Sequence, residues 1–255
     1  RSVKFDHFIT QAKKLNCDKV ATGHYAKIIK KNNEYELHKA DYLDKDQSYV
    51  LHMLKSSDLE NISFPLGEIS KPDVRQIAAR IGLKTAFKKD SQDICFVGKK
   101  DYRSFVEKRI DLTAPGEILD TEGNKVGDHN GIHEFTVGQR KGLPGGYGSP
   151  RYVTKINVQN KNVTIGERND LLVSSFIVEE LSCVNDLEYK NLTIQTRYNS
   201  EDLPCEIKKL SDTKVLVQLK EPAFGVAPGQ FGVIYNGTKV VCGGRISPKV
   251  LENVG

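Results

Sequence analysis

The stretch KKDSQDICFVGKK, residues 88–100, sets one cysteine, Cys95, between two lysine pairs, Lys88–Lys89 and Lys99–Lys100. A thiol reacts as its thiolate, and nearby ammonium groups lower its pKa. The pattern points to a cysteine that ionises and carries or attacks a group. Its structural alternative is a small buried hydrophobe between Ile94 and Phe96. Cys17, Cys183, Cys205 and Cys242 stand in patterned apolar surroundings and read as packing residues. Five widely spaced cysteines, with no C-x-x-C pair and no clustered histidines, predict neither a disulfide framework nor a metal site.

Other polar groups have the types and spacing for nucleotide or phosphate contact. ATGHY places Gly23 after a strand, where a missing side chain lets a nucleotide approach the backbone, and His24 beside it could meet a base or phosphate or serve the core. DKDQSYVL offers Lys45 and Gln47 as side chains that reach phosphate or sugar, or that only solvate a loop. TVGQRKGLPGGYG holds Arg140 and Lys141 in a glycine-rich loop but lacks the P-loop pattern.

The elements that must position these groups change style near residue 110. Before it, Phe5, Phe8, Ile9, Ala12 and Leu15 recur at helical spacing, as do Val74, Ile77, Ala78 and Ile81. The second helix is punctuated by Ser70 with Asp73 three residues on, by Pro72 in the first turn and by Gly82 at its end. Between them DKVATGHYAKII and NNEYELHKA read as strands, so the order is that of an α/β domain. Asp101 is a plausible cap for a helix over YRSFVEKRI.

After residue 110 the pattern is β. Hairpins are expected about Glu122-Gly123-Asn124 and Gln159-Asn160-Lys161-Asn162. From about 171 the alternation in CEIKKLSDTKVLVQLKEP and GQFGVIYNGTKVVCGGRI, turning at Asn236-Gly237, predicts a closed barrel. The expected domains are thus 1–109, 110–170 and 171–255.

The chain has 255 residues, 38% of them hydrophobic, enough to fill such cores. Its 38 basic and 33 acidic residues leave a net charge of +5, which allows a polyanionic partner without requiring one. No apolar run reaches the roughly 18 residues of a membrane span, and no signal sequence opens the chain, so a cytoplasmic protein without a membrane partner is expected.

Taken in order, VKF, ATGHYA, KDQSYVL, FPLGEISKPDVRQIAARIGL, KKDSQDICFVG, FTVGQRKGL, TRY and APGQFGVIYNG with CGGRI resemble the tRNA-specific 2-thiouridylases across essentially the whole chain. The resemblance implies the C-terminal part of an ATP-pyrophosphatase-like, Rossmann-like α/β domain, then a small β-rich central domain and a C-terminal β-barrel that binds tRNA. It implies a sulfurtransferase that uses ATP with Mg2+ to adenylate the C2 oxygen of the wobble uridine. Sulfur from a persulfide on Cys95 then replaces that oxygen. Gly23 corresponds to an ATP contact; His24, Lys45, Asp46, Gln47, Arg197, Tyr198 and Gln230 correspond to tRNA contacts. The implied partners are tRNAs for Lys, Glu and Gln and a persulfide sulfur-carrier protein.

The family's S-G-G-x-D-S phosphate loop and its first catalytic cysteine do not occur here, and the chain opens at Arg1 in mid-pattern. A fragment without ATP-dependent activity of its own is therefore expected. Two alternatives remain open on the residues alone. A different ATP-pyrophosphatase would lack the Cys95 motif and the barrel, and a non-catalytic tRNA-binding module would begin at a native start codon near Arg1.

Overall fold

A computed structural model describes residues 3–88, 114–182 and 189–253, which form two compact units. Cys95, Cys183 and the helix expected over YRSFVEKRI lie outside the described residues. The first unit comprises residues 1–88, 175–221 and 228–251, so it joins the α/β segment to most of the C-terminal strands.

In the α/β segment, helix α1 (Val3–Lys14) precedes strand β1 (Val20–Ala21), which pairs in parallel with β4 (Ile62–Ser63). Between them lie the antiparallel strands β2 (Ala26–Lys31) and β3 (Glu34–Lys39) and the short helices α2 (Ser48–Leu51) and α3 (Ser56–Leu59). Asn32 and Asn33 both adopt positive φ, 48° and 68°, the geometry of a tight two-residue hairpin turn. A core of Ala26, Leu37, Leu51, Leu54, Leu59, Ile62 and Phe64 holds these pieces, with Phe5 and Ile9 of α1 packed against it.

Helix α4 (Lys71–Arg80) starts and stops where its punctuation says. Ser70 Oγ accepts from the Asp73 amide at 3.3 Å, Pro72 sits in the first turn, and Gly82 takes the left-handed conformation at φ 73°. Its apolar stripe is less fully covered: Ile77 is 39% exposed and Ile81 66% exposed. In α1, likewise, Phe8 faces solvent, as does Leu15 just past its end, while Phe5 and Ile9 meet the core. Cys17, expected in apolar packing, is instead exposed, because Asn16 at φ 54° turns the chain out of the helix just before it.

The C-terminal strands are β9 (Leu172–Glu179), β10 (Leu192–Gln195), β11 (Leu203–Ser211), β12 (Lys214–Phe224), β13 (Phe231–Asn236) and β14 (Lys239–Asn253). Their order is β13-β10-β11-β12-β9-β14, and β13 pairs back onto β14, closing a six-stranded barrel. Closure removes the free edges that an open sheet would leave. The core includes Phe176, Val178, Ile194, Val215, Val217, Ile234 and Ile246, all 0% exposed. The β2–β3 hairpin joins the outside of this barrel through β3 and β14, with Lys239 opposite His38. Strands that read as α/β sheet members in the sequence are thus an antiparallel extension of the barrel.

The second unit, residues 89–174, 222–227 and 252–255, contains a four-stranded sheet of β5 (Gly116–Leu119), β6 (Lys125–His129), β7 (Tyr152–Asn157) and β8 (Asn162–Gly166). Its order is β6-β5-β8-β7, with the two expected hairpins joined by a parallel β5–β8 pairing. Ile118, Ile132, Phe135, Val153, Val163 and Ile165 fill its core. Arg140 and Lys141 lie exposed on a loop that Gln139 braces, receiving the Thr136 amide at 3.0 Å and donating to the Lys141 carbonyl at 2.9 Å.

Close approach requires glycine at positions 67, 243 and 244 of the first unit. A Cβ on Gly67 would lie 2.1 Å from the carbonyl oxygen of buried Ala26, and one on Gly243 would lie 2.5 Å from Cδ2 of buried His52. Gly67→Ala is expected to destabilise the protein by about 2 kcal/mol, the cost of forcing backbone apart in a packed site. Thermal unfolding checks this, and an unchanged midpoint would show that the loop moves aside freely.

Candidate functional site

The segment after β3 folds on itself through Asp46. Its buried carboxylate accepts from the Ala40 amide at 2.8 Å, the Ser48 amide at 3.3 Å and the Ser48 hydroxyl at 2.6 Å. Burial pushes this carboxyl above its ordinary pKa, while the bonds from Ser48 and Ala40 pull it back. Gln47 makes a two-point link to the turn after β1: its amide donates to the Tyr25 carbonyl at 2.7 Å, and its side-chain oxygen accepts from the Tyr25 amide at 3.0 Å. Asp46 and Gln47 therefore spend their side chains inward, holding a loop on which Leu43 and Asp44 are exposed and Lys45 is half-buried.

On the barrel, β10 runs into a tight turn. The Ser200 amide donates to the Arg197 carbonyl at 3.2 Å, its hydroxyl accepts from the Arg197 amide at 3.4 Å, and Asn199 is left-handed at φ 57°. This geometry pushes Arg197, Tyr198 and Asn199 outward. Glu201 and Asp202 then lead into β11.

A polar network locks loop and barrel together. Lys39, 6% exposed, donates to both carboxylate oxygens of Asp202 at 2.7 and 2.6 Å and lies 4.1 Å from the ring centroid of Tyr235. Gln195 donates to Asp202 at 2.9 Å and accepts from the Tyr235 hydroxyl at 3.4 Å, which also shares a 3.2 Å bond with Ser48. Burial raises the pKa of Tyr235. The Tyr49 hydroxyl donates to the Phe231 carbonyl at 2.8 Å, and burial pushes its pKa up to about 12. Its ring stands 6.2 Å from that of Tyr198, at 50°.

These groups line an open cavity of about 510 Å³, formed by Lys39, Leu43, Asp44, Asp46, Tyr49, Gln195 and the turn residues Tyr198 to Asp202. Lys45 and Asp46 act electrostatically on the Tyr198 hydroxyl, and Arg197 on that of Tyr49. The fold thus brings together residues 45–47 and 197–198, which the sequence singled out separately. Gln230 is exposed, and its carbonyl accepts from the Ile246 amide at 2.8 Å, one residue before the Phe231 carbonyl that holds Tyr49.

His24 and Gly23 stand apart from the cavity lining, in the turn that Gln47 anchors. His24 bonds to the Thr22 hydroxyl at 2.9 Å and packs between the rings of Phe5 and Phe64, each 5.8 Å away. Gly23 is exposed.

Sequence reasoning missed Lys39, Tyr49, Gln195, Asp202 and Tyr235. Lys39 and Asp202 meet across 163 residues of chain, and neither has a local pattern that marks it as half of a pair.

Three family models match the chain: the tRNA methyl transferase HUP domain over residues 1–99, the tRNA methyl transferase PRC-barrel domain over 103–167, and the aminomethyltransferase beta-barrel domain over 173–246. Similar proteins include the tRNA-specific 2-thiouridylase MnmA of Chloroflexus aurantiacus, 40% identical over 252 residues, covering 97% of this chain and 70% of the relative. The protein of that name from Rickettsia prowazekii is 39% identical over 255 residues, covering 98% and 71%. That of Lachnoclostridium phytofermentans is 39% identical over 254 residues, covering 96% and 70%.

Proposed function

The chain belongs to the tRNA-specific 2-thiouridylase family, and from that premise we propose that it replaces the C2 oxygen of the tRNA wobble uridine by sulfur, in the cytoplasm, using ATP and Mg2+. ATP supplies the adenylyl group that turns an inert carbonyl oxygen into a leaving group. The contribution of this chain to holding it is the turn at Gly23. A Cβ there would meet only Leu66 Cδ1, at 3.7 Å, so the fold leaves that backbone face open, as a nucleotide lying against it requires. Cys95 carries sulfane sulfur delivered by a carrier protein. The terminal sulfur of the resulting persulfide bonds to the activated C2 and expels AMP with the old oxygen, and a second thiol, that of the family's first catalytic cysteine, then breaks the S–S bond by forming a disulfide with Cys95, leaving the sulfur on C2.

The observation that carries the tRNA reading is the shared rim. Lys45 comes from the α/β segment and Arg197 and Tyr198 from the barrel, and the Lys39–Asp202 lock holds the two together. Positive charge and an exposed ring suit phosphate and base contact respectively. Asp46 and Gln47 position this rim, and His24 braces the neighbouring turn. The substrates are tRNAs of the Lys, Glu and Gln type.

Binding measured against salt tests this surface. Affinity for tRNA falls as salt rises, and Arg197→Ala weakens every tRNA alike by about three- to tenfold and flattens the log–log salt slope by about one. An unchanged affinity and slope would assign Arg197 to solvating the barrel rim.

A further inference from the structure

We propose that the cavity beneath the Tyr198 turn receives one unstacked nucleobase of the bound tRNA and selects a base that carries an exocyclic amino group over uracil. This rests on the tRNA-binding reading of the rim. Four observations carry it.

The cavity, about 510 Å³, has the size of a small-ligand pocket. Tyr198 offers a ring at its mouth, 45% exposed, and Tyr49 stands behind it, fixed by its bond to the Phe231 carbonyl. A held aromatic surface is what an unstacked base stacks upon. The mouth is also acidic: Asp44 and Glu201 are exposed and have no ion-pair partner among the described residues, whereas Lys39 is committed to Asp202. Carboxylates repel phosphate and accept hydrogen bonds from amino groups, so the backbone is excluded and an amino-bearing base edge is favoured. Finally, the cations stand outside the cavity lining, Arg197 on the turn and Lys45 on the facing loop. Phosphates are thereby held at the rim while one base points inward.

Cytosine and uracil separate the amino group from stacking, because their rings are alike in size and differ in edge chemistry. The test compares pentacytidylate with pentauridylate, as fluorescent oligonucleotides titrated with the chain at low salt. The expected result is about tenfold tighter binding of pentacytidylate, falling to within about twofold in the Asp44→Asn/Glu201→Gln double variant. Arg197→Ala weakens both oligonucleotides by one common factor. Equal affinity in the wild type, no binding of either oligonucleotide, or a preference that survives the double variant, overturns the base pocket. If tRNA binding still depends on Arg197 in those cases, the rim reading stands; if it does not, the rim reading has failed as well.

Discussion

In the full-length enzyme, Cys95→Ser is expected to abolish 2-thiolation of tRNA while leaving the protein folded. A hydroxyl cannot hold sulfane sulfur, and exchanging one heavy atom leaves no large cavity. The sequence sets lysines on both sides of Cys95, a composition that suits the thiolate form that accepts sulfur. The described cysteines give the contrast. Cys242 and Cys205 are buried, and burial pushes the Cys205 thiol up to about 12, far from ionisation at neutral pH. Cys17 is exposed, so it is the control that matters: Cys17→Ser is expected to thiolate tRNA normally. Persulfide mapping after limiting exposure to a sulfane donor should label Cys95 predominantly. Residual thiolation by Cys95→Ser, or predominant labelling at Cys17, would remove Cys95 from the reaction.

Asp202→Ala is expected to destabilise the first unit by about 3 kcal/mol, the low end for breaking a buried ion pair, because the aspartate side chain is itself 39% exposed. The cost comes mainly from the partner: Lys39, 6% exposed in the parent fold, loses its hydrogen-bonded carboxylate and keeps only the Tyr235 ring and the electrostatic influence of buried Asp46. Gln195 loses an acceptor as well. The variant should also weaken tRNA binding beyond the loss of one charge, since the turn bearing Arg197 is no longer pinned to the loop bearing Lys45. Adding Lys39→Met to Asp202→Ala should recover much of the stability, as an apolar chain against Tyr235 needs no counter-charge. Denaturant unfolding of the single and double variants measures both effects. A single variant as stable as the parent, or a double variant no better than the single, would show that the lock contributes little.

The sequence made local devices legible and long-range partnerships illegible. The Ser70 cap, the stop at Gly82, the hairpins around Gly123 and Gly237 and the barrel alternation are all written within a few residues of where they act. The attachment of the β2–β3 hairpin to β14 is not, because alternation says that a strand exists but not which edge it meets. Cys17 was misread because the left-handed Asn16 reverses the side to which the chain turns. At the site, Lys45, Arg197 and Tyr198 stood out by type, and motif resemblance collected them. Asp46 and Gln47 stood out too, yet their side chains turn inward to hold the loop. Nothing in the sequence around Lys39 or Asp202 marks either as half of a pair, because the fold alone closes the 163 residues between them.

The central claim is that this chain serves sulfur insertion at the wobble uridine, and nucleoside mass spectrometry of tRNA from cells deleted of its gene tests it most directly. The account predicts that 2-thiouridine derivatives disappear from the tRNAs for Lys, Glu and Gln, return with the wild-type gene and do not return with Cys95→Ser. Persistence of those nucleosides at the parental level in the deleted cells would contradict it.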